Sequence, residues 1–277
     1  MNLVLQGAPV PREELTPLLA ALGANHVVSL GPGALRLTGV HESPLVEPFC
    51  AQRALDFAWV PDARRLAELR LVALDMDSTL VTVESIDEMG DLLGLRERIA
   101  EITERAMRGE IDYVESLRAR VALLAGLEEQ ALERICEERM HLSPGAEALA
   151  ARCRALGIRT LLVSGGFSFF TAWLQQRLGL DEVHSNALEI ERGRLTGRVL
   201  GRIVDGQSKA AKLIATMDAL GCARAQALAV GDGANDIPML REAGVSVAFR
   251  AKPAVRAAAT HALDHAGLDG VLNLFIE

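Results

Sequence analysis

The sequence predicts an α/β fold: a doubly wound parallel sheet with a small helical cap inserted into it and a small α+β module in front of it. Three observations predict this fold. From residue 69 onward, apolar runs typical of buried strands alternate with helical segments, which indicates a parallel sheet with right-handed crossovers. Residues 85–142 keep only helical periodicity. Several polar clusters directly follow predicted strands, the end at which an open parallel sheet binds its ligands.

The first 66 residues carry short alternating signals in the order βαββαβ. Helical patterns cover residues 13–22 and 45–55, and strand-like stretches cover residues 3–5, 27–30, 34–40 and 57–60. This order is that of a ferredoxin-like module, which we expect at residues 1–66. Proline and a charge cluster at residues 61–65 interrupt the apolar pattern and predict a domain boundary there.

The second domain is predicted at residues 67–277. It opens with a strand at residues 69–74, whose apolar run is typical of a strand covered on both faces. The helical cap follows at residues 85–142, interrupted by Gly94, Gly109 and Gly126. Helices then alternate with strands again, and a turn-rich stretch predicts a hairpin at residues 188–198; the strands are expected at residues 159–163, 183–186, 226–230 and 245–249.

Composition argues against several classes of function. The chain has 277 residues and a formal net charge of −8, so no basic surplus exists to displace counterions from a nucleic acid or an acidic membrane. No apolar run approaches the length of a membrane span, and the first ten residues lack a signal-peptide pattern. The four cysteines are widely spaced without a CxxC pair, which indicates reduced thiols. We therefore expect a soluble cytoplasmic protein.

Asp75 and Asp77 follow the first strand of the second domain and are the strongest candidates for chemistry. In an extended backbone, residues two apart project to the same side, so both carboxylates can address one ligand. A capped turn, with local hydrogen bonds from Asp and Ser, is the structural alternative. The functional interpretation is that Asp75 attacks phosphorus, while Asp77 protonates the leaving alkoxide and later deprotonates water. Two adjacent carboxylates would need a hard divalent cation to accept an anionic phosphoester, and Mg²⁺ is the natural candidate.

Two further clusters carry groups that suit a phosphate. Ser164, Gly165 and Gly166 end a predicted strand; they either cap the next helix or hold phosphate oxygens with the hydroxyl and exposed N–H groups. Lys209 lies at a helix start, where a lysine is usually solvated. If its side chain points into the site instead, it supplies the positive charge that this acidic chain otherwise lacks.

The fourth cluster, Gly231 to Asp236, follows an apolar strand and combines acidic residues with glycine. An acidic turn is the structural alternative. In the functional interpretation Asp232 coordinates Mg²⁺, Asn235 orients the substrate or its phosphate, and Asp236 supports the metal's water shell or Lys209. Four structural explanations arising together, at three strand ends and one helix start, would be a large coincidence.

In this order, the D-x-D, Ser, Lys and G-D-x-x-x-D motifs resemble those of haloacid dehalogenase-like phosphohydrolases, and within them those of bacterial phosphoserine phosphatases. The resemblance covers residues 69–277. It implies that Asp75, Asp77, Ser164 and Lys209 are catalytic, and that Asp75, Asp77 and Asp232 bind Mg²⁺. It also implies the reaction: hydrolysis of O-phospho-L-serine to L-serine and phosphate through an aspartyl phosphate, the last step of serine biosynthesis.

The same resemblance implies the residues that select the substrate. Glu84 would meet the ammonium group, and Arg120 would hold the carboxylate as a bidentate pair. Met107 and Tyr113 would exclude water, although phenylalanine is the usual aromatic residue at the second of these positions. An ordinary helical ion pair or a solvated face is the alternative for Glu84 and Arg120. The phosphate-binding set would be Ser164, Gly165, Gly166, Lys209 and Asn235.

For the first 66 residues the resemblance weakens. Relatives often carry ACT modules of the βαββαβ type there, which bind amino acids or mediate dimerisation, so a homodimer and a purely structural module both remain open. Two rival functions also remain open. One is phosphatase or phosphotransferase action on another small phosphomonoester, for example transfer from phosphoserine to homoserine. The other is an amino-acid sensor with a vestigial phosphatase domain.

Overall fold

The computed structural model describes all 277 residues and begins with a four-stranded antiparallel sheet. The strands lie in the order β2-β3-β1-β4, which confirms the βαββαβ module. Its second helix is shorter than expected, because Ala54 adopts a positive φ of 52° and turns the chain into the last strand. The elements are β1 (Asn2–Gly7), α1 (Arg12–Leu22), β2 (His26–Gly31), β3 (Ala34–Thr38), α2 (Val46–Ala51) and β4 (Leu55–Val60).

The second sheet has seven strands and is parallel except for one edge strand. Its strands are β5 (Leu71–Leu74), β6 (Arg159–Phe167), β7 (Glu182–Glu191), β8 (Arg194–Leu200), β9 (Ala227–Gly231), β10 (Val245–Phe249) and β11 (His261–Leu263). They lie in the order β11-β10-β9-β5-β6-β7-β8, with β5 near the centre. The predicted doubly wound sheet is therefore confirmed. The hairpin at residues 188–198 is real but longer, because its first strand is continuous with the strand expected at residues 183–186.

Helices cover both faces of this sheet: α7 (Ala146–Leu156), α8 (Ser168–Leu178), α9 (Gly206–Leu220), α10 (Ile237–Glu242) and α11 (Pro253–Ala258). Alternate residues of β5 pack into different apolar cores. Val72 and Leu74 join one core, whereas Leu71 and Ala73 join the other. All four side chains are buried, which explains why the strand reads as a continuous apolar run.

Four helices form the insertion between β5 and α7: α3 (Ser85–Asp91), α4 (Arg96–Met107), α5 (Tyr113–Leu123) and α6 (Glu129–Glu138). The chain enters and leaves this helical cap through one short antiparallel bridge between Val81 and Leu142. The β7–β8 hairpin also binds the cap: the Gly126 N–H donates to the Leu195 carbonyl at 2.8 Å, and the Leu195 N–H donates to the Leu127 carbonyl at 2.9 Å. The cap is therefore attached to the sheet at two places.

Polar contacts join the N-terminal sheet to the C-terminal end of the chain. The buried Asp56 carboxylate accepts hydrogen bonds from three consecutive backbone N–H groups, those of residues 264–266, at 2.7–3.0 Å. Arg36 donates to the carbonyls of Asn273 and Phe275. Buried backbone groups and charges require partners of this kind. No helix of the chain is both long enough and apolar enough to cross a bilayer.

Candidate active site

Asp75 and Asp77 lie on a sharp turn at the carboxyl end of β5. The backbone stays extended at Asp75 and Asp77, and Ser78 then takes a positive φ of 55°, which turns the chain away from the sheet. A non-glycine residue in this region is strained and persists where surrounding contacts hold it. One such contact is the hydrogen bond of 2.7 Å that the Ser78 hydroxyl donates to the Glu84 carboxylate. The turn therefore presents the Asp75 side chain inward, where it is 5% exposed.

Lys209 is fully buried and joins two of the predicted site residues. Its Nζ donates to Asp75 Oδ1 and to Asp236 Oδ1, both at 2.6 Å. The first turn of α9 places it there, and this turn is capped by Asp205, whose carboxylate accepts from the Ser208 N–H at 2.8 Å. The solvated lysine considered as the alternative is excluded by this burial. Burial alone would lower the Lys209 pKa, but the carboxylates of Asp236 and Asp75 outweigh it and raise that pKa.

Three carboxylates gather beside this lysine. Oxygens of Asp75, Asp232 and Asp236 lie within 4.8 Å of one another. Asp236 is firmly held, because its second oxygen accepts from the backbone N–H groups of Asp232 and Gly233 at 3.2 and 3.0 Å. The Thr79 hydroxyl donates to Asp232 at 2.9 Å. The predicted ligand set contained Asp77 in place of Asp236, but the Asp77 side chain lies outside this cluster.

This cluster carries more negative charge than the protein neutralises. Burial, then repulsion by Asp236, holds the Asp75 pKa well above its usual value, and the same two causes raise the pKa of Asp232 to about 7. The single ammonium group of Lys209 lies beside three carboxylates, those of Asp75, Asp232 and Asp236. A hard divalent cation with oxygen ligands would remove the repulsion, so the donor set fits such an ion.

Asp77 has a different environment. Its carboxylate accepts from the Ser85 N–H at 2.9 Å and from the Ser85 hydroxyl at 3.1 Å, at the start of α3. Burial, and then the negative charge of Glu84, raise the Asp77 pKa to about 8. These two effects favour the protonated form of Asp77, which is the form that a general acid requires. The motifs did not indicate Ser85, although it lies beside Glu84 at the first turn of a predicted helix.

The Ser164–Gly166 segment runs beneath Asp77 as the end of β6, and α8 begins only at Ser168. The buried Ser164 hydroxyl accepts from the Gly166 N–H at 2.8 Å. A Cβ on Gly166 would come within 2.9 Å of Asp77 Oδ2, and one on Gly165 within 2.1 Å of the Tyr113 hydroxyl. The two glycines are therefore needed for the close approach of Asp77 and Tyr113 to the end of β6.

The cap brings some of the predicted substrate-binding residues to the site. Tyr113 reaches Gly165, and burial raises its pKa to about 12. The partly buried Arg120 donates to the Ser116 carbonyl, and Glu84 accepts from the Ser78 hydroxyl, so the ion pair considered as one alternative is not formed. Glu84 is exposed, so the other alternative, a solvated face, stays open for it. Met107 is different: it ends α4 with its side chain 67% exposed, and it does not wall the site in this conformation.

Asn235 lies on the short turn before α10. Its side-chain oxygen is so near the backbone that a Cβ on Gly233 would lie 2.3 Å from it. Glycine at that position leaves room for the amide, which is partly exposed. Asn235 therefore lies in the same turn as Asp232 and Asp236, as the motif predicted.

A doubly wound sheet with a carboxylate–lysine cluster at its carboxyl edge and a helical cap beside it defines a class of capped α/β hydrolytic enzyme. A profile of the haloacid dehalogenase-like hydrolase family matches residues 72–241. The chain belongs to this family. The family resemblance stated from the motifs is thereby confirmed.

Relatives narrow the class further. Phosphoserine phosphatase of Albidiferax ferrireducens is 54% identical over 216 residues, which cover 76% of this chain and 91% of that protein. A crystal structure of a probable phosphoserine phosphatase from Vibrio cholerae, in unliganded form, superposes with a TM-score of 0.87 at 36% identity and covers 99% of this chain and 85% of its own. A phospho-aspartyl intermediate analogue of phosphoserine phosphatase superposes with a TM-score of 0.70 at 35% identity, covering 75% of this chain and 99% of its own.

Proposed function

We propose that this protein is a Mg²⁺-dependent phosphatase that hydrolyses O-phospho-L-serine to L-serine and phosphate, and so completes serine biosynthesis. The observation that carries the proposal is the pairing of two unlike carboxylates. The Asp75 carboxylate pairs with the Lys209 ammonium at 2.6 Å, whereas the Asp77 carboxylate accepts from the Ser85 N–H and hydroxyl, which carry no charge. Environments that separate two carboxyl groups in this way give one the role of nucleophile and the other that of acid.

In the first step, an Asp75 oxygen attacks phosphorus while the bond from phosphorus to the seryl oxygen breaks. Asp77 gives its proton to that oxygen, and L-serine leaves. In the second step, a water molecule attacks the aspartyl phosphate, Asp77 takes the water's proton, and phosphate leaves with Asp75 restored. Lys209 stays charged throughout and stabilises the phosphoryl oxygens together with Ser164 and the backbone N–H groups of the adjoining glycines.

Mg²⁺, when bound, would supply the charge that keeps the carboxylates ionised and offsets the phosphoryl oxygens. Asp75 and Asp232 would hold it through side-chain oxygens. Asp77 would complete the predicted ligand set, although its carboxylate here accepts from the Ser85 N–H and hydroxyl. Asp236 would keep Lys209 and the Asp232 backbone in place.

The amino-acid end of the substrate would be recognised by opposite charges. Glu84, positioned by Ser78, would bind the ammonium group. The guanidinium of Arg120, whose Nε donates to the Ser116 carbonyl, would bind the carboxylate. Tyr113 would cover the phosphate loop, residues 164–166. Met107 would complete the wall of the substrate site if the cap closes further. Asn235 would orient the phosphate group.

Phosphate release from O-phospho-L-serine tests this proposal directly. We expect turnover with Mg²⁺, none with EDTA, and none from Asp75→Asn, which keeps the size of the side chain. A panel of other phosphomonoesters tests substrate choice, and added homoserine reveals phosphoryl transfer through phosphohomoserine in place of free phosphate. Normal turnover by Asp75→Asn would exclude the nucleophile, and no turnover of any ester would favour the sensor with a vestigial phosphatase domain.

We further propose the domain division 1–66 and 67–277, with the cap at about 85–142, in a cytoplasmic homodimer. Four free thiols support a reducing compartment.

The edge strand β2 supports the dimer, because Val27 and Val28 are 46% and 45% exposed on a strand with one unpaired side. Light scattering tests it: Val28→Lys should give monomers, and a monomeric unchanged protein would exclude the dimer.

A further inference from the structure

Asn186 is a buried amide that bonds two separate parts of the site. It lies on β7 with 1% of its surface exposed. Its Nδ2 donates to the carbonyl of Gly165 at 2.7 Å, and its Oδ1 accepts from the N–H of Val204 at 2.8 Å. Only this orientation of the amide matches a donor to the carbonyl and an acceptor to the N–H.

Both partners lead directly to groups of the proposed reaction. Gly165 lies between Ser164 and Gly166, which form the proposed phosphate loop. Val204 comes directly before Asp205, the residue that caps the helix on which Lys209 lies. The amide therefore fixes the distance between the phosphate loop and the helix that supplies the ammonium group.

Gly165 lies outside the paired register of the sheet, and Val204 lies in the connection between β8 and α9. The β6–β7 ladder pairs Val163 with His184 and next pairs Phe167 with Asn186, so three residues of β6 stand opposite one residue of β7. The partly buried Gly165 carbonyl lies in this bulge, where no ladder residue stands opposite it to donate. The Asn186 side chain supplies that donor and satisfies the Val204 N–H with its other end.

We infer that Asn186 is a positioning residue: it holds the phosphate loop and Lys209 in the mutual geometry that phosphoryl transfer needs. Its hydrogen bonds go to the Gly165 carbonyl and the Val204 N–H, and not to Asp75, Asp77 or Lys209. This inference rests on the proposed function, since it assigns Asn186 to that reaction. A small displacement of the loop relative to Lys209 would spoil both phosphate binding and the transition state.

Asn186→Ala, Asn186→Asp and a control, Thr160→Val, test the inference. Thr160 bonds Asp181 at the opposite end of the same two strands, with its hydroxyl 2.8 Å from the Asp181 carboxylate, so its loss weakens the sheet away from the site. Kinetics with O-phospho-L-serine, inhibition by inorganic phosphate and melting temperatures are measured for each. We expect Asn186→Ala to lose roughly tenfold to a hundredfold in kcat. Its inhibition by phosphate should weaken, whereas Thr160→Val should lose stability alone.

Asn186→Asp separates positioning from packing. The carboxyl group of this variant has the shape of the amide but donates to the Gly165 carbonyl only when protonated, and burial raises the pKa of such a group. Its activity relative to the unchanged protein should therefore recover as the pH falls from 8 towards 6. The pH dependence of Asn186→Asp still tests the inference if Asn186→Ala does not fold.

The inference is overturned if Asn186→Ala keeps kcat and phosphate inhibition within about twofold of the unchanged protein while its melting temperature falls as in Thr160→Val. It is also overturned if the relative activity of Asn186→Asp does not change with pH. An unchanged protein that releases no phosphate contradicts the proposed function instead, and inorganic phosphate binding by the same variants then still tests the geometry of the loop.

Discussion

Replacing Lys209 with methionine should destabilise the fold strongly, because it leaves the carboxylates of Asp75 and Asp236 buried without their shared cation. Methionine keeps most of the length of the side chain, so packing changes little. Removing one partner from a buried ion pair costs about 3–5 kcal/mol of unfolding free energy. For a chain of this size about 1 kcal/mol corresponds to a shift of roughly 2–4 °C in melting temperature. The lower limit of about 3 kcal/mol therefore predicts a loss of about 6–12 °C.

The loss should grow with pH. Lys209 lowers the pKa of Asp75, so its removal raises that pKa further above the unfolded value. A carboxyl group with a raised pKa in the folded state favours folding when protonated, and that stability is lost as the pH rises through the folded pKa. The deficit should thus be smaller at pH 5 than at pH 8.

The assay is thermal unfolding in EDTA at both pH values. Lys212→Met is the matched control, because Lys212 lies three residues further along α9 and pairs with Glu182 at a site where its side chain is 26% exposed. Such a pair contributes at most about 1 kcal/mol. If Lys209→Met melts within 2 °C of Lys212→Met at pH 8, the buried lysine does not hold the cluster together.

Two further predictions concern specificity and acid stability. Arg120→Ala should reduce kcat/KM for O-phospho-L-serine at least tenfold while leaving p-nitrophenyl phosphate nearly unaffected, since only the former has a carboxylate; equal losses would contradict the assignment. His261, whose pKa burial lowers to about 4, is neutral in the fold, so unfolding becomes easier as the pH falls from about 6.5 towards 4, by up to about 3 kcal/mol. Urea unfolding at pH 7.5 and 4.5 should therefore show a smaller acid loss for His261→Gln, and an identical loss would exclude His261 as its source.

The sequence was sufficient to predict that distant residues lie close together wherever each of them follows a parallel strand. Asp75, Ser164 and Asp232 lie at the ends of β5, β6 and β9, which are neighbours in the sheet. Their proximity follows from strand direction and needs no knowledge of side-chain geometry. The position of the Lys209 side chain could not be predicted in this way, because a place at a helix start does not determine whether a lysine points inward.

Features that depend on long-range register could not be predicted. The strand β11 has only three residues, which is too few for a periodic signal. It forms by pairing with the free edge of β10. Asn186 has a function only because three residues of β6 bulge opposite one residue of β7, and no local pattern encodes that mismatch. The direction of the Asp77 carboxylate, which lies outside the cluster of Asp75, Asp232 and Asp236, likewise depends on where Ser85 places its two donors.

The position of Ser85 also links the cap to the acid–base chemistry. Ser85 begins α3, the first helix of the cap, and its N–H and hydroxyl both bind the Asp77 carboxylate, which favours the ionised form. Glu84, the preceding residue, opposes that effect by repulsion. A substrate ammonium group bound to Glu84 would weaken the repulsion and lower the Asp77 pKa from about 8, making Asp77 a stronger acid when the correct substrate is present. The residue that selects the substrate would thus also adjust the acid that cleaves it.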